Sequence, residues 1–324
     1  MVRLQKVRCR EIFLGGGEPS TWLARLSDFV PQQRSQGGSV LDVDFGDSVP
    51  DPVEFIQQNG AQFTVYSVDF DLRVLGLVRV KEGIDIRKAP FLYQAQRENA
   101  VELLLLPFDV LPAVADALTG TLTLSTVKNI FLHNIGRCGS TLLCRALDVT
   151  DEIQAVSEPD IFTLMYMFKC ATRDVPLTSE ESEEIIMLLR CSVILLNFYF
   201  IQNDPSKTVM QKAFDLIRED SVNFFHACLT FKQLLEHKEQ IILEVLEKLD
   251  VDVPSDLDSS KIREVFGVDS QEGSVMQSER RKGDKVRSSW VGTWEKNLFS
   301  TVLEHFNGDV DEPDFVMPNT VMLN

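Results

Sequence analysis

Fold and chemistry are read most directly from Val127-Lys128-Asn129-Ile130-Phe131-Leu132-His133-Asn134-Ile135-Gly136-Arg137-Cys138-Gly139-Ser140-Thr141-Leu142-Leu143. The first half has the apolar run of a buried strand. The second half opens an apolar helix from Thr141 to Leu147, and Gly136 and Gly139 punctuate the turn between them. A strand that feeds a glycine turn into a helix N-terminus aims several backbone N–H groups and the positive end of the helix dipole at one point, which favours an anion. Gly136 and Gly139 let the backbone approach that anion, and Ser140 and Thr141 add hydroxyl donors. Arg137 adds a planar fork for phosphate or sulfate oxygens, and Cys138 and Leu142 complete the segment. Asn134 stands where a Walker motif has its first glycine, and Ser140 stands where it has its lysine. Without that lysine the γ-phosphate of ATP or GTP lacks its usual partner, so hydrolysis of either is disfavoured.

Outward from the turn, the chain of 324 residues is 44% hydrophobic and 25% charged, which excludes global disorder and suggests two domains. Thirty-two Lys and Arg against 49 Asp and Glu give a net charge of −17. Such a surface repels nucleic acid and anionic membrane, so an anionic ligand must be captured by a local cluster of donors. The six cysteines have no CxxC spacing and no nearby His pairs, so neither a metal site nor a disulfide framework is expected. Met1 to Arg10 lacks the apolar stretch of a secretory signal. The longest apolar run, Ile185 to Ile201, is interrupted by Arg190, Ser192 and Asn197 and reads as a buried helix rather than a membrane span. The expected location is cytoplasmic.

Before residue 126 the alternation in Gln62 to Val68 and Leu75 to Val80, bounded by turn residues, predicts strands. Asn99 to Ala117 looks helical, although Leu103-Leu104-Leu105-Leu106-Pro107 suits a buried strand equally well. After the turn, Thr178 and Glu181 stand at capping-box spacing ahead of the long apolar helix, and Ser206 to Met210 suits a strand. An interrupted helix is expected between Ala213 and Leu249. His133, His226 and His237 read as structural or solvated, and Cys138 lacks the His partner of a nucleophile.

Arg137-Cys138-Gly139-Ser140-Thr141-Leu142-Leu143 resembles the 5′-phosphosulfate-binding loop of the sulfotransferase family, with Arg137 at the basic position, Gly139 at the glycine, and Ser140 and Thr141 at the hydroxyl positions. Ser157-Glu158-Pro159-Asp160 resembles the segment after the first helix where several sulfotransferases carry an acidic base. Leu229 to Leu235, Asp269 to Ser274 and Trp294 to Leu298 are more distantly similar to later parts of the domain. The resemblance implies an α/β fold, a parallel sheet flanked by helices of the P-loop type, over residues 126–324, with a smaller β-containing region at 1–125. It also implies transfer of a sulfuryl group from 3′-phosphoadenosine 5′-phosphosulfate to a hydroxyl acceptor, with Arg137 and Glu158 catalytic and no metal.

The family's Arg and Ser pair for the 3′-phosphate has no counterpart at the usual spacing. Arg281 and Lys282, beside Gly283, form one of the few concentrated positive patches and stand as the replacement. Two alternatives follow: an inactive sulfotransferase-like nucleotide-binding or scaffold protein, and a P-loop-type nucleotide-binding protein or kinase.

Overall fold

In the computed structural model of the chain, residues 1–10, 23–32, 40, 46–120, 127, 129–134, 139–150, 153–166, 177–203, 208–214, 229, 231–252, 257–270 and 272 are described. Six strands pair antiparallel: Val2–Cys9 (β1), Phe29–Pro31 (β2), Asp47–Val49 (β3), Phe63–Asp69 (β4), Val74–Val80 (β5) and Ala100–Pro107 (β6). Their order is β2-β1-β6-β5-β4, and β3 pairs with the opposite end of the β1 edge from β2. The β4–β5 turn is closed by Asp69, whose Oδ1 accepts the Leu72 N–H at 2.9 Å, and Arg73 takes the left-handed region at φ 54°.

The expected fold class is corrected here. The largest sheet is antiparallel and lies in the N-terminal region, which conflicts with a chain centred on a parallel P-loop-type sheet. Strands joined by a tight turn pair antiparallel without a long crossover, and the alternation in residues 62–80 already carried that instruction. Among the described residues, parallel pairing is confined to Ile130–Asn134 (β7), Ile153–Val156 (β8) and Thr208–Phe214 (β9), in the order β7-β9-β8.

The apolar run in β6 is continuous because both faces of the large sheet are covered. Leu104 and Leu106 join one core with helices Leu111–Thr119 (α3) and Ser179–Asn203 (α6), while Leu103 and Leu105 join a second with Phe29, Tyr66 and Phe91. Gly76 of β5 lies under Leu26, where any Cβ would collide with that side chain. The first core crosses position 126, since Leu188, Leu195, Phe198 and Phe200 of α6 complete it together with Ile161 and Met165 of Asp160–Tyr166 (α5). Preceding α3 are two shorter helices, Pro52–Asn59 (α1) and Leu92–Asn99 (α2).

The capping box of α6 forms as its spacing predicts: the Glu181 N–H donates to Thr178 Oγ1 at 3.2 Å and the Thr178 N–H donates to Glu181 Oε2 at 3.0 Å. This helix is long and apolar enough to cross a membrane, and 61% of its most apolar window is buried inside the fold. The remaining core packs Ser140–Asp148 (α4) and Ile153 of β8 against Phe231–Lys248 (α7), whose backbone is broken at Lys238, and Ser259–Val265 (α8).

Candidate functional site

β7 delivers the chain to the glycine turn, and α4 leaves it. Gly139 is the N-cap of α4 and sits in the left-handed region at φ 83°, ψ 11°. An L-residue with a Cβ pays a steric cost there, and glycine does not. The Gly139 carbonyl accepts the Leu143 N–H at 2.9 Å, which starts the helix, while a glycine cap supplies no side-chain acceptor to the first-turn amides. Ser140 and Thr141 are buried at that turn, and the side chains of Leu142 and Leu143 enter the core beneath it. Gly136, Arg137 and Cys138 lie outside the described residues, as do Arg281 and Lys282.

A cavity of about 310 Å³ opens beside α4. Thr141, Cys144 and Arg145 line it from one helix face, as positions three and four apart must. Arg87, Lys88 and Pro90 face them, and Ser157 stands at the end of β8. Arg87 is engaged by a two-pronged ion pair with Asp85, at 2.8 and 2.9 Å, and donates to the Asn203 carbonyl at 2.8 Å. That pairing lowers the Asp85 carboxyl below its usual range. Arg145 donates from Nη1 to the Asp269 carbonyl at 3.2 Å, and its burial pulls its pKa down. Through this contact the Asp269 segment meets α4.

Glu158 follows Ser157 directly and adopts φ 54°, an unusual backbone for a non-glycine residue and more so for one before proline. Its charge acts on Tyr93 and Asp160, raising the pKa of both, although burial is the larger cause in each. Asp160 lies at the start of α5 and accepts the Ala24 N–H, 136 positions away in sequence, at 2.5 Å. Burial pushes its carboxyl up to about 7. Beside it Asp28, itself raised by burial, accepts from the Tyr66 hydroxyl at 2.5 Å and from the Arg25 N–H at 2.9 Å.

Thr141 therefore shares the cavity wall with Ser157, and Glu158 adjoins it. Sequence reasoning missed Lys88, Arg145 and Asp160. The spacing of Arg145 from Thr141 was a signal for one of them, whereas nothing local to Lys88 or Asp160 announces a long-range partner. Among the described residues no cluster of His, Cys, Asp and Glu is arranged to hold a metal ion. Comparison of the chain with protein-family models, curated proteins and solved structures finds no match.

Proposed function

We propose that the chain binds 3′-phosphoadenosine 5′-phosphosulfate at the Gly136 to Leu142 turn and transfers its sulfuryl group to a hydroxyl acceptor. One observation carries the reading: Gly139 holds the left-handed conformation at the start of α4, immediately after the strand β7 and its loop. The reading rests on this turn and its residues, and makes no use of the overall architecture. The first-turn amides with Ser140 and Thr141 hold the 5′-phosphosulfate. Arg137 neutralises the charge that grows on the bridging oxygen as its bond to sulfur breaks. Glu158 takes the proton of the acceptor hydroxyl as the new oxygen–sulfur bond forms, and 3′-phosphoadenosine 5′-phosphate leaves. Arg281 and Lys282 hold the 3′-phosphate.

A second reading, nucleotide binding without turnover, is favoured by the position of Glu158, whose charge bears on the buried acids Tyr93 and Asp160 and opposes the ionisation of each. Thermal shift separates the candidates. At about 100 times its dissociation constant, adenosine 3′,5′-bisphosphate should stabilise the full chain by about 2.7 kcal/mol, and Arg137→Ala should weaken the response. No shift with this ligand and a clear one with Mg-ATP would move the chain to the kinase class. A shift without transfer to any hydroxyl acceptor selects the inactive reading.

A further inference from the structure

The cavity beside α4 combines three features that the donor reading does not use. Its walls are largely apolar, with Pro90, Cys144 and Ala155 contributing. Two cations border it: Lys88, which is exposed at the rim and whose charge also bears on Asp85, and Arg145, which donates to the Asp269 carbonyl and feels the charges of Glu272 and Asp269. Asp85 is paired with Arg87, and Asp148, which also lines the cavity, accepts from the Ala155 N–H at 3.3 Å and the Gln154 side-chain amide at 3.5 Å. The third feature is Ser157, only 6% exposed, whose Oγ has no hydrogen-bond partner among the described residues. A buried hydroxyl left unsatisfied carries a desolvation penalty that a ligand oxygen would relieve.

We infer that this cavity binds a small carboxylate with an apolar body, its carboxylate held between Lys88 and Arg145 and its oxygen or body seated against Ser157. The volume, about 310 Å³, is at the lower end for small-molecule sites and suits a single-ring compound. Charge complementarity fixes the sign of the ligand. On a chain of net charge −17, a pair of cations at an apolar cavity is a local exception to a field that otherwise repels anions. Arg145 can serve because its guanidinium carries five donors, of which the Asp269 carbonyl takes one. The inference stands apart from the donor reading, since its ligand needs neither phosphate nor sulfate.

Titration calorimetry and saturation-transfer NMR on the full chain test it with benzoate, with benzyl alcohol as the same ring without charge, and with acetate as the charge without the ring. Benzoate is expected to bind saturably, and the other two at least about ten-fold more weakly. Lys88→Glu reverses an exposed charge without disturbing the core, and should weaken benzoate by about ten-fold or more. Absence of saturable benzoate binding, equal binding of benzyl alcohol or acetate, or an unchanged affinity in Lys88→Glu would each overturn the inference.

Discussion

The two sheets among the described residues are built by opposite means. β4, β5 and β6 belong to a six-stranded antiparallel sheet that is buried on both faces, and β4 and β5 are joined by a short turn with its own Asp69 closure. β7, β8 and β9 pair in parallel, and β9 reaches its place between the other two from more than 50 positions further along the chain. Local pairing needs little beyond its turns, while parallel pairing needs long crossovers. The features proposed to carry chemistry, the glycine turn, the cavity and Glu158, all adjoin the parallel strands. Stability and chemistry are thus expected to respond to different substitutions.

The largest separation should come from Glu158→Gln, which keeps shape and hydrogen bonding but cannot take a proton. Turnover with a hydroxyl acceptor is expected to fall by roughly 10²- to 10⁴-fold while the affinity for adenosine 3′,5′-bisphosphate stays within about two-fold. Equal turnover by variant and parent in a sulfuryl-transfer assay would remove Glu158 from the reaction. The reverse pattern is expected from Leu104→Ala in β6. This residue is fully buried between β1 and β5, so its truncation should cost about 2–5 kcal/mol in urea unfolding and leave the folded protein's nucleotide affinity unchanged. A loss of affinity in the folded variant would show that the two regions are not energetically separate.

Asp160 joins the two regions through the Ala24 N–H, and its titration gives a third test. Its carboxyl rises from the ordinary 3.8 to about 7 in the folded state, chiefly by burial, in a setting that includes Arg97, Glu158 and Asp28. The folded chain therefore holds this proton more tightly than the unfolded chain does. Its stabilising contribution is complete below about pH 4 and is lost as pH rises towards 7. Asp160→Asn keeps an oxygen for the Ala24 N–H and removes the titration. It should flatten the stability profile between those values and leave the variant more stable than the parent above pH 7, as read by melting temperature. A parent profile that climbs across the same window and is unchanged in the variant would contradict the assignment. The smallest effect is expected at the exposed Arg190–Asp116 pair, 2.7 Å apart between α6 and α3, where Asp116→Ala should change stability by no more than about 0.5 kcal/mol.

Much of the local structure could be read from the residues. Alternation located β4 and β5, the Thr178 and Glu181 spacing located the start of α6, and the glycine-bounded join located the end of β7 and the start of α4. The Leu103 to Leu106 run was ambiguous because a strand buried on both faces loses its alternation, and periodicity then cannot separate it from a helix. The fold class was misread for a different reason. The turn motif resembles one from a parallel-sheet domain, whereas the strands of residues 62–80, joined by a short turn, build the larger, antiparallel sheet. At the site, the turn residues were legible because glycine and hydroxyl positions follow from local backbone needs. Lys88 and Asp160 were not, because Lys88 shares its cavity with Arg145, 57 positions away, and Asp160 accepts from Ala24, 136 positions away, which only the folded chain brings near.

Anion binding at the turn between β7 and α4 is proposed to depend on the left-handed backbone of Gly139. Calorimetric titration of adenosine 3′,5′-bisphosphate into the parent and into Gly139→Ala tests it most directly. A Cβ at φ 83° costs roughly 1–2 kcal/mol and shifts the first-turn amides, so the variant should stay folded yet bind at least about ten-fold more weakly than the parent. Equal affinity in the two proteins, or no binding by the parent, would contradict the account.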